Sequence, residues 1–347
     1  MTVAEPLRWG VIGASSQVAR SAVLPAMAAS ERADVVAVAS QSQGEALDLG
    51  PAMCDVRRYG SYDDVLADDR VEAVYVPLPN SMHLEWVCAA LQAGRHVLCE
   101  KPLALSASEG QEMAEAADRH GRVLMEAYMA RFHPRWQALQ RLVDEGRLGQ
   151  IRFARATFTF DGLTARPDDY RWQPQMGGGS LADVGVYCLA PILAAVGRMP
   201  ERVAGSARWT EQGVDASFSG WLDFGSAWAS VECSFELPER QLLELVGSEA
   251  TAVVERAYTA GAADDALHLS SPAGTEIVRS GGADPYQNMV EHFADMVQHG
   301  RSPVYPLSES IRVARTADLL RSDAHTGRDT PAVVSQPSPF DRPPYLP

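Results

Sequence analysis

The first half of the chain alternates short apolar runs with amphipathic segments, and this alternation restricts the fold more than any other feature. Strands separated by helical stretches run parallel, with helices covering both faces of one sheet. Leu7-Arg8-Trp9-Gly10-Val11-Ile12 reads as the first strand, followed by a small-residue turn and a helix from about Val18 to Ala28. Val35 to Ala39 and Ala73 to Val76 read as further strands. The latter ends at Pro77-Leu78-Pro79-Asn80, where prolines lacking a backbone donor enforce irregularity. A helix from about Met82 to Ala93 stops at Gly94, and His96 to Cys99 is the next strand, with Glu100-Lys101-Pro102 at its carboxyl end. Ser106, with Glu109 three residues on, is a capping box for a helix to about His120, and Val123 to Glu126 is one more strand.

From about Ile151 the pattern changes. Ile151 to Phe160 alternates apolar and polar residues, and Gly220 to Phe224, Trp228 to Phe235 and Leu242 to Val246 look similar. Long strands without intervening helices point to an antiparallel sheet. Gly177-Gly178-Gly179 precedes a helix from Leu181 to Val196, and helices from about Tyr286 to His299 and Ser308 to Arg321 are placed to pack back across both parts. The expected fold class is α/β. It combines a Rossmann doubly wound parallel sheet over residues 1–127 with an α/β domain over 128–330 carrying a large, mostly antiparallel sheet. Residues 331–347, rich in Pro, read as an irregular tail. A length of 347 residues suits two domains.

Lys plus Arg number 30 against 45 Asp plus Glu, so the formal net charge of -15 disfavours nucleic acid and anionic membrane surfaces as partners. The cysteines Cys54, Cys88, Cys99, Cys188 and Cys233 form no C-x-x-C pair and no metal-spaced cluster, which suits a reducing cytoplasm and a site without metal. No signal peptide is evident at Met1 to Arg8, and no uncharged apolar stretch reaches the ~18 residues of a membrane helix.

The first turn reads Gly13-Ala14-Ser15-Ser16-Gln17-Val18. Small residues there let the backbone approach a pyrophosphate at a helix N-terminus, although a plain strand-to-helix turn would look the same. At the end of the second strand, Ser40-Gln41-Ser42 stands where an NAD site carries a carboxylate. Hydroxyl and amide donors suit a 2'-phosphate, so the turn leans towards NADP, with NAD the alternative. Lys101 ends a buried strand and points toward the ligand crevice, or else is a solvated charge. Asp183 and Tyr187, four apart on one helix, could share a proton-transfer face with it, a neighbouring ammonium lowering the tyrosine pKa. They could equally be a helix-start residue and a core aromatic. Tyr128, Arg131, Tyr170, Arg171 and Trp172 lie in polar-aromatic stretches of a sugar-pocket kind, Arg131 being also a candidate junction ion pair. His83 could reach the crevice or cap its helix.

Taken in order, Gly13-Ala14-Ser15, Val76-Pro77-Leu78-Pro79-Asn80 with His83, Glu100-Lys101-Pro102, and Gly177-Gly178-Gly179 with Asp183-Val184-Gly185-Val186-Tyr187 resemble a known family. It is the glucose-fructose oxidoreductase / inositol dehydrogenase / rhizopine catabolism (Gfo/Idh/MocA) family, in its aldose, dihydrodiol and keto-sugar branch. The resemblance runs from about residue 7 to about 325. It implies hydride exchange between NADP or NAD and a sugar or cyclic polyol or ketone, without a metal. Lys101 would polarise the reacting oxygen, Tyr187 would give or take the proton, and Asp183 would support the sugar side. It implies a cofactor site over Gly13 to Val18, Ser40 to Ser42, Pro77, Leu78, Asn80, His83, Glu100 and Lys101. It also implies a homodimer or homotetramer built through an open sheet. Two departures stand out: a first turn that reads one residue longer than usual, and a ribose-end turn without the Arg frequent in NADP members. A non-catalytic NAD(P)-binding regulator on the same scaffold is the alternative.

Overall fold

Strands with consecutive buried residues, such as Ala73-Val74-Tyr75-Val76, require cover on both faces, and the chain supplies it with helices. The computed structural model describes residues 5–40, 55–165, 169–261, 263–264 and 266–326; Gln41, Ser42, Cys54 and the tail from Pro331 lie outside the described residues. Among these, β1 (Leu7–Ile12), β2 (Ala33–Ala39), β3 (Arg57–Tyr59), β4 (Ala73–Val76), β5 (His96–Glu100) and β6 (Leu124–Ala127) form one sheet. Its order is β3-β2-β1-β4-β5-β6 and every pairing is parallel. A π-helical segment, Ala19–Val23, leads into α1 (Leu24–Ala29), and α2 (Tyr62–Ala67), α3 (His83–Gln92) and α4 (Ala107–His120) follow in turn. A π turn takes up one more residue than an α turn, and here it follows directly on the longer first turn. Ser106 Oγ accepts from Glu109 N–H, as the capping box requires.

The chain continues through α5 (Pro134–Asp144), β7 (Ile151–Asp161), α6 (Gly162–Ala165), α7 (Ser180–Asp183) and α8 (Gly185–Val196). Then come β8 (Arg202–Trp209), β9 (Asp215–Asp223), β10 (Trp228–Ser234), β11 (Glu236–Gly247), β12 (Thr251–Glu255), β13 (Ala266–Ser271) and β14 (Gly274–Arg279). Last are α9 (Pro285–His299) and α10 (Leu307–Thr326). The second sheet has the order β14-β13-β12-β11-β7-β10-β9-β8, antiparallel throughout except where β10 runs parallel to β7. Helices α8 and α10 cover one face. The other carries the exposed Trp221 and Trp228, whose rings lie 6.4 Å apart. The single helix expected over Leu181 to Val196 is instead broken at Val184, between α7 and α8.

Two cores hold the parallel sheet. One face packs Ile12, Val74 and Val97 against Val65, Val87, Leu91 and Met113 of α2, α3 and α4. On the other, Leu7, Trp9 and Val11 meet α1 and Phe293 of α9 in a core that continues into the second sheet. The Trp9 and Phe293 rings lie 5.0 Å apart and both are fully buried. An ion pair between Arg32 and Asp295 seals the edge of this contact. A segment almost three hundred residues from β1 thus completes its core, and α10 likewise docks on α4, where Asp318 accepts from Ala107 N–H at 3.0 Å. Phe293→Ala should lose about 3–5 kcal/mol in urea unfolding, since it empties the site opposite Trp9. A loss under about 1 kcal/mol would show that α9 is not an integral part of the first core.

Candidate active site

The order of the parallel sheet reverses between β1 and β4, and the crevice outside their carboxyl ends opens into a cleft of about 640 Å³. Gly13, Ser15, Ser16, Gln17 and Val18 form one wall, with Pro77 and Leu78 beside them. Gly13 adopts φ +94°, and a Cβ there would stand 2.6 Å from Leu78 Cδ2 and 3.2 Å from Pro77 O, so the turn packs tightly on the β4 loop. Ser16 Oγ accepts from Ala19 N–H, and Ser40 Oγ donates to Ser15 Oγ at 2.8 Å. A small-residue turn with helix-start N–H groups facing a cleft at the strand-order reversal fits a dinucleotide pyrophosphate. Ser40 is the described part of the expected ribose-end turn.

Lys101 follows β5 and enters the cleft at its centre; the Lys101–Pro102 peptide is cis. Its Nζ donates to Asp183 Oδ1 at 2.8 Å and to Asp183 O at 2.9 Å. Arg171 approaches the same carboxylate from the other side, Nε to Oδ2 at 2.7 Å and Nη2 to Oδ1 at 3.2 Å, while its Nη1 donates to both oxygens of Asp169 at 3.0 Å. The triple glycine explains how Arg171 is held. Gly179 N–H donates to Arg171 O at 2.9 Å, and a Cβ on Gly178 would lie 2.3 Å from that oxygen. Burial alone would raise the Asp183 pKa, but the Arg171 guanidinium and the Lys101 ammonium outweigh it and hold the carboxyl well below the usual range.

Tyr187 lies beside Lys101, whose Nζ stands 5.1 Å from the ring centroid. The ring also packs on Tyr128, Phe158 and Tyr258. The ammonium does not lower the phenol pKa as the sequence reading expects. Burial, reinforced by Tyr286 and Glu100, raises it well above the ordinary value, because the cation faces the ring and is itself paired with Asp183. Tyr187 is therefore a neutral phenol.

Several expected site residues lie away from the cleft wall. Tyr128 is fully buried beneath Tyr187, between Trp136 and Tyr305. Arg131 is buried with Glu309 and stacks on Trp136 and Tyr305, so it is the junction ion pair rather than a sugar ligand. Trp172 turns its edge to Phe235. His83 sits behind the cleft with Nδ1 3.0 Å from Pro102 O and Nε2 2.9 Å from Leu78 O, bracing the two loops that carry the wall. Asn80 donates to Gly177 O at 2.9 Å, and Ala14 is buried in the core. Pro77, Leu78, Glu100, Lys101, Tyr170, Arg171, Asp183 and Tyr187 all border the cleft, as do Ser15 to Val18.

The cleft also has walls that the sequence reading omits: Phe158 and Phe160 of β7, Tyr286 of α9, and Glu239, Gln241 and Thr259. The two phenylalanines are two apart on one strand, a legible period. Tyr286 follows the Asp284 cap and Pro285, a helix-start pattern that says nothing of what it faces. Glu239 falls before the apolar alternation of β11 begins.

Comparison with known proteins bears on this geometry. Residues 7–128 match the model of an oxidoreductase family with an NAD-binding Rossmann fold, and residues 136–253 match the Gfo/Idh/MocA C-terminal domain. The D-xylose 1-dehydrogenase (NADP(+)) 2 of Haloferax volcanii is 36% identical over 324 residues, covering 92% of this chain and 98% of its own. The trans-1,2-dihydrobenzene-1,2-diol dehydrogenase of Mus musculus is 30% identical over 338 residues, covering 91% and 96%. A 3-ketoreductase from Actinomadura kijaniata, solved with NADP and TDP-benzene, superposes with a TM-score of 0.83 at 30% identity, covering 92% and 98%. Among the described residues no single helix is long and apolar enough to cross a membrane.

Behind Lys101, Glu126 is almost completely buried and accepts from Leu103 N–H at 2.8 Å, while its Oε2 makes no hydrogen bond among the described residues. Burial pushes its pKa up to about 7 from an ordinary 4.5. The folded chain then binds this proton more tightly than the unfolded chain, so stability falls as pH rises from 4.5 through 7. The full penalty above that window is on the order of 3 kcal/mol. Glu126→Gln keeps an acceptor for Leu103 and removes the ionisation. Urea unfolding should find the variant gaining on the wild type between pH 5 and pH 8. A difference that stays constant across this range would show that Glu126 carries no such penalty.

Proposed function

Because this chain belongs to the Gfo/Idh/MocA family and is an NAD(P)-dependent oxidoreductase, we propose that it exchanges a hydride between NADP and a ring carbon bearing a hydroxyl or ketone in a sugar or related cyclic alcohol. The relatives named as dehydrogenases and reductases support an enzyme over a non-catalytic regulator. The observation that carries the proposal is the convergence of Lys101, Asp183 and Tyr187 in the cleft beside the Gly13 turn. The names of the xylose, dihydrodiol and keto-sugar relatives support the substrate class.

The bound nicotinamide supplies or accepts the hydride. The Gly13 to Val18 turn would hold the pyrophosphate, and Ser40 would offer a hydroxyl at the ribose end. Lys101 stands at the cleft centre to polarise the substrate oxygen, its position fixed by the two bonds to Asp183. Tyr187 as a neutral phenol is in the donor form, so in carbonyl reduction its proton goes to the oxygen as the hydride reaches carbon. In alcohol oxidation the same oxygen must first be a phenolate, so that direction speeds up with rising pH.

Tyr187→Phe and Lys101→Met should each lower kcat by roughly a hundredfold or more. Tyr187→Phe should also abolish the alkaline rise in oxidation rate. Steady-state kinetics at the nicotinamide absorbance, over a sugar and diol panel, provide the check. Near-normal turnover in both variants would remove the assignment.

We also assign 128–330 to substrate binding and assembly, and read the uncovered sheet face around Trp221 and Trp228 as the contact between copies of this chain. Trp228→Glu should shift the particle to monomer in light scattering if a homodimer or homotetramer forms there. A reducing cytoplasm suits the unpaired thiols of Cys88, Cys99, Cys188 and Cys233.

A further inference from the structure

We infer that the substrate is an uncharged polyhydroxy compound, and that Glu239 is the residue that turns away sugars carrying phosphate. The inference rests on the oxidoreductase reading above and narrows the substrate class of the same cleft.

An anionic substrate would need a cation whose charge is not already matched. On the substrate side, the cations among the described lining residues are Lys101 and Arg171. Lys101 donates to Asp183 twice, and Arg171 spends four contacts on Asp183 and Asp169. A phosphate dianion would meet cations whose charge is already matched by carboxylates, whereas a hydroxyl needs only a lone pair or a single donor such as the third N–H of Lys101. Asp169, Asp183 and Glu239, with Glu100 beside Lys101, give four lining carboxylates against the two cations, so the lining carries more acids than cations. The aromatic rings of Phe158, Phe160 and Tyr286 add apolar faces of the kind that pack on sugar C–H groups.

Glu239 is placed for this by a local irregularity. The pairing of β11 with β7 loses register between Glu236 and Arg240, and Pro238 O accepts from Thr159 Oγ1 at 2.6 Å. Such a bulge re-aims a side chain, here toward the cleft. Gln241 then fixes it: Nε2 donates to Glu239 Oε1 at 3.0 Å and to Thr259 Oγ1 at 2.6 Å. The amide oxygen of Gln241 accepts from the N–H groups of Tyr258 and Thr259 at 3.1 and 3.0 Å, so its orientation is set. Among the described residues Glu239 Oε2 makes no hydrogen bond. A braced carboxylate with one open oxygen accepts a hydroxyl and repels an anion.

The test compares one free aldose with its 6-phosphate and with a nucleoside-diphosphate sugar, on wild type, Glu239→Gln and Glu239→Lys. Two readouts are taken: kcat/KM at the nicotinamide absorbance, and binding by intrinsic fluorescence in the presence of NADP. Wild type should prefer the free sugar by at least about tenfold in both, and Glu239→Lys should shrink that ratio about tenfold or more. Glu239→Gln should fall between them. Equal use or equal binding of the phosphorylated sugars by wild type would overturn the inference, as would an unchanged ratio in Glu239→Lys. If the free sugar binds selectively but no hydride moves, the oxidoreductase assignment of this site fails and the selectivity stands on the binding data.

Discussion

The carboxylate of Asp183 is the interaction on which the cleft depends. It is buried and ionised, and it is shared by a lysine that ends a strand of the parallel sheet and an arginine from the turn before α7. Taking a charge out of water costs several kcal/mol, and only close pairing with further hydrogen bonds offsets that cost. Here both oxygens are engaged on two sides, and the backbone carbonyl of the same residue accepts a further hydrogen bond from Lys101. Removing either cation would leave the other side of the carboxylate uncompensated, a loss of roughly 3–5 kcal/mol by analogy with broken buried pairs. The three side chains therefore tie the strand end at Lys101 to the segment before α8 at the centre of the cleft.

That dependence explains which parts of the site were legible in the sequence. Lys101, Asp183 and Tyr187 could be singled out because each sits at a position with its own local signature: a strand end before proline, and a helix after three glycines. The glycines read only as a turn. Their physical reason, a backbone too close to Arg171 O for any Cβ, exists only once the chain is folded. Arg131 and Tyr128 looked like pocket residues because a polar-aromatic stretch has the same composition at a domain junction as at a sugar site. What separates the two is the partner, and Glu309 and Tyr305 are supplied from far along the chain.

Five strands of the parallel sheet were readable because they are short and apolar and alternate with helical segments, whereas β3, Arg57-Arg58-Tyr59, is polar and mostly exposed and gave no such signal. The second sheet was only partly readable. Its outer strands, such as β14, are largely exposed and show no strong alternation, and β11 begins with Glu-Leu-Pro-Glu-Arg, which resembles a loop. Proline in that run loosens the ladder and creates the irregularity that exposes Glu239 to the cleft. The break of the expected long helix at Val184 has a related origin. Ser180 Oγ and Leu181 N–H both bond Asp215 Oδ2 at 2.7 Å, anchoring the short α7 to β9. Tertiary contacts overrode local preference in both places.

An acidic chain that binds a phosphate-rich cofactor appears contradictory until the two ends of the cleft are compared. At the Gly13 end the donors among the described lining residues are helix-start amides and hydroxyls, which carry partial positive charge. Their attraction is short in range and directed, so it selects a pyrophosphate lying along the turn and does little for an anion elsewhere. At the far end the formal cations are present but each is already neutralised by a carboxylate. The formal net charge of -15 thus coexists with a cofactor end built from neutral donors. Anions are admitted where the backbone receives them and resisted where the substrate sits. Lys101 lies between the two ends, and its pairing with Asp183 matches its charge while leaving it at the centre of the cleft.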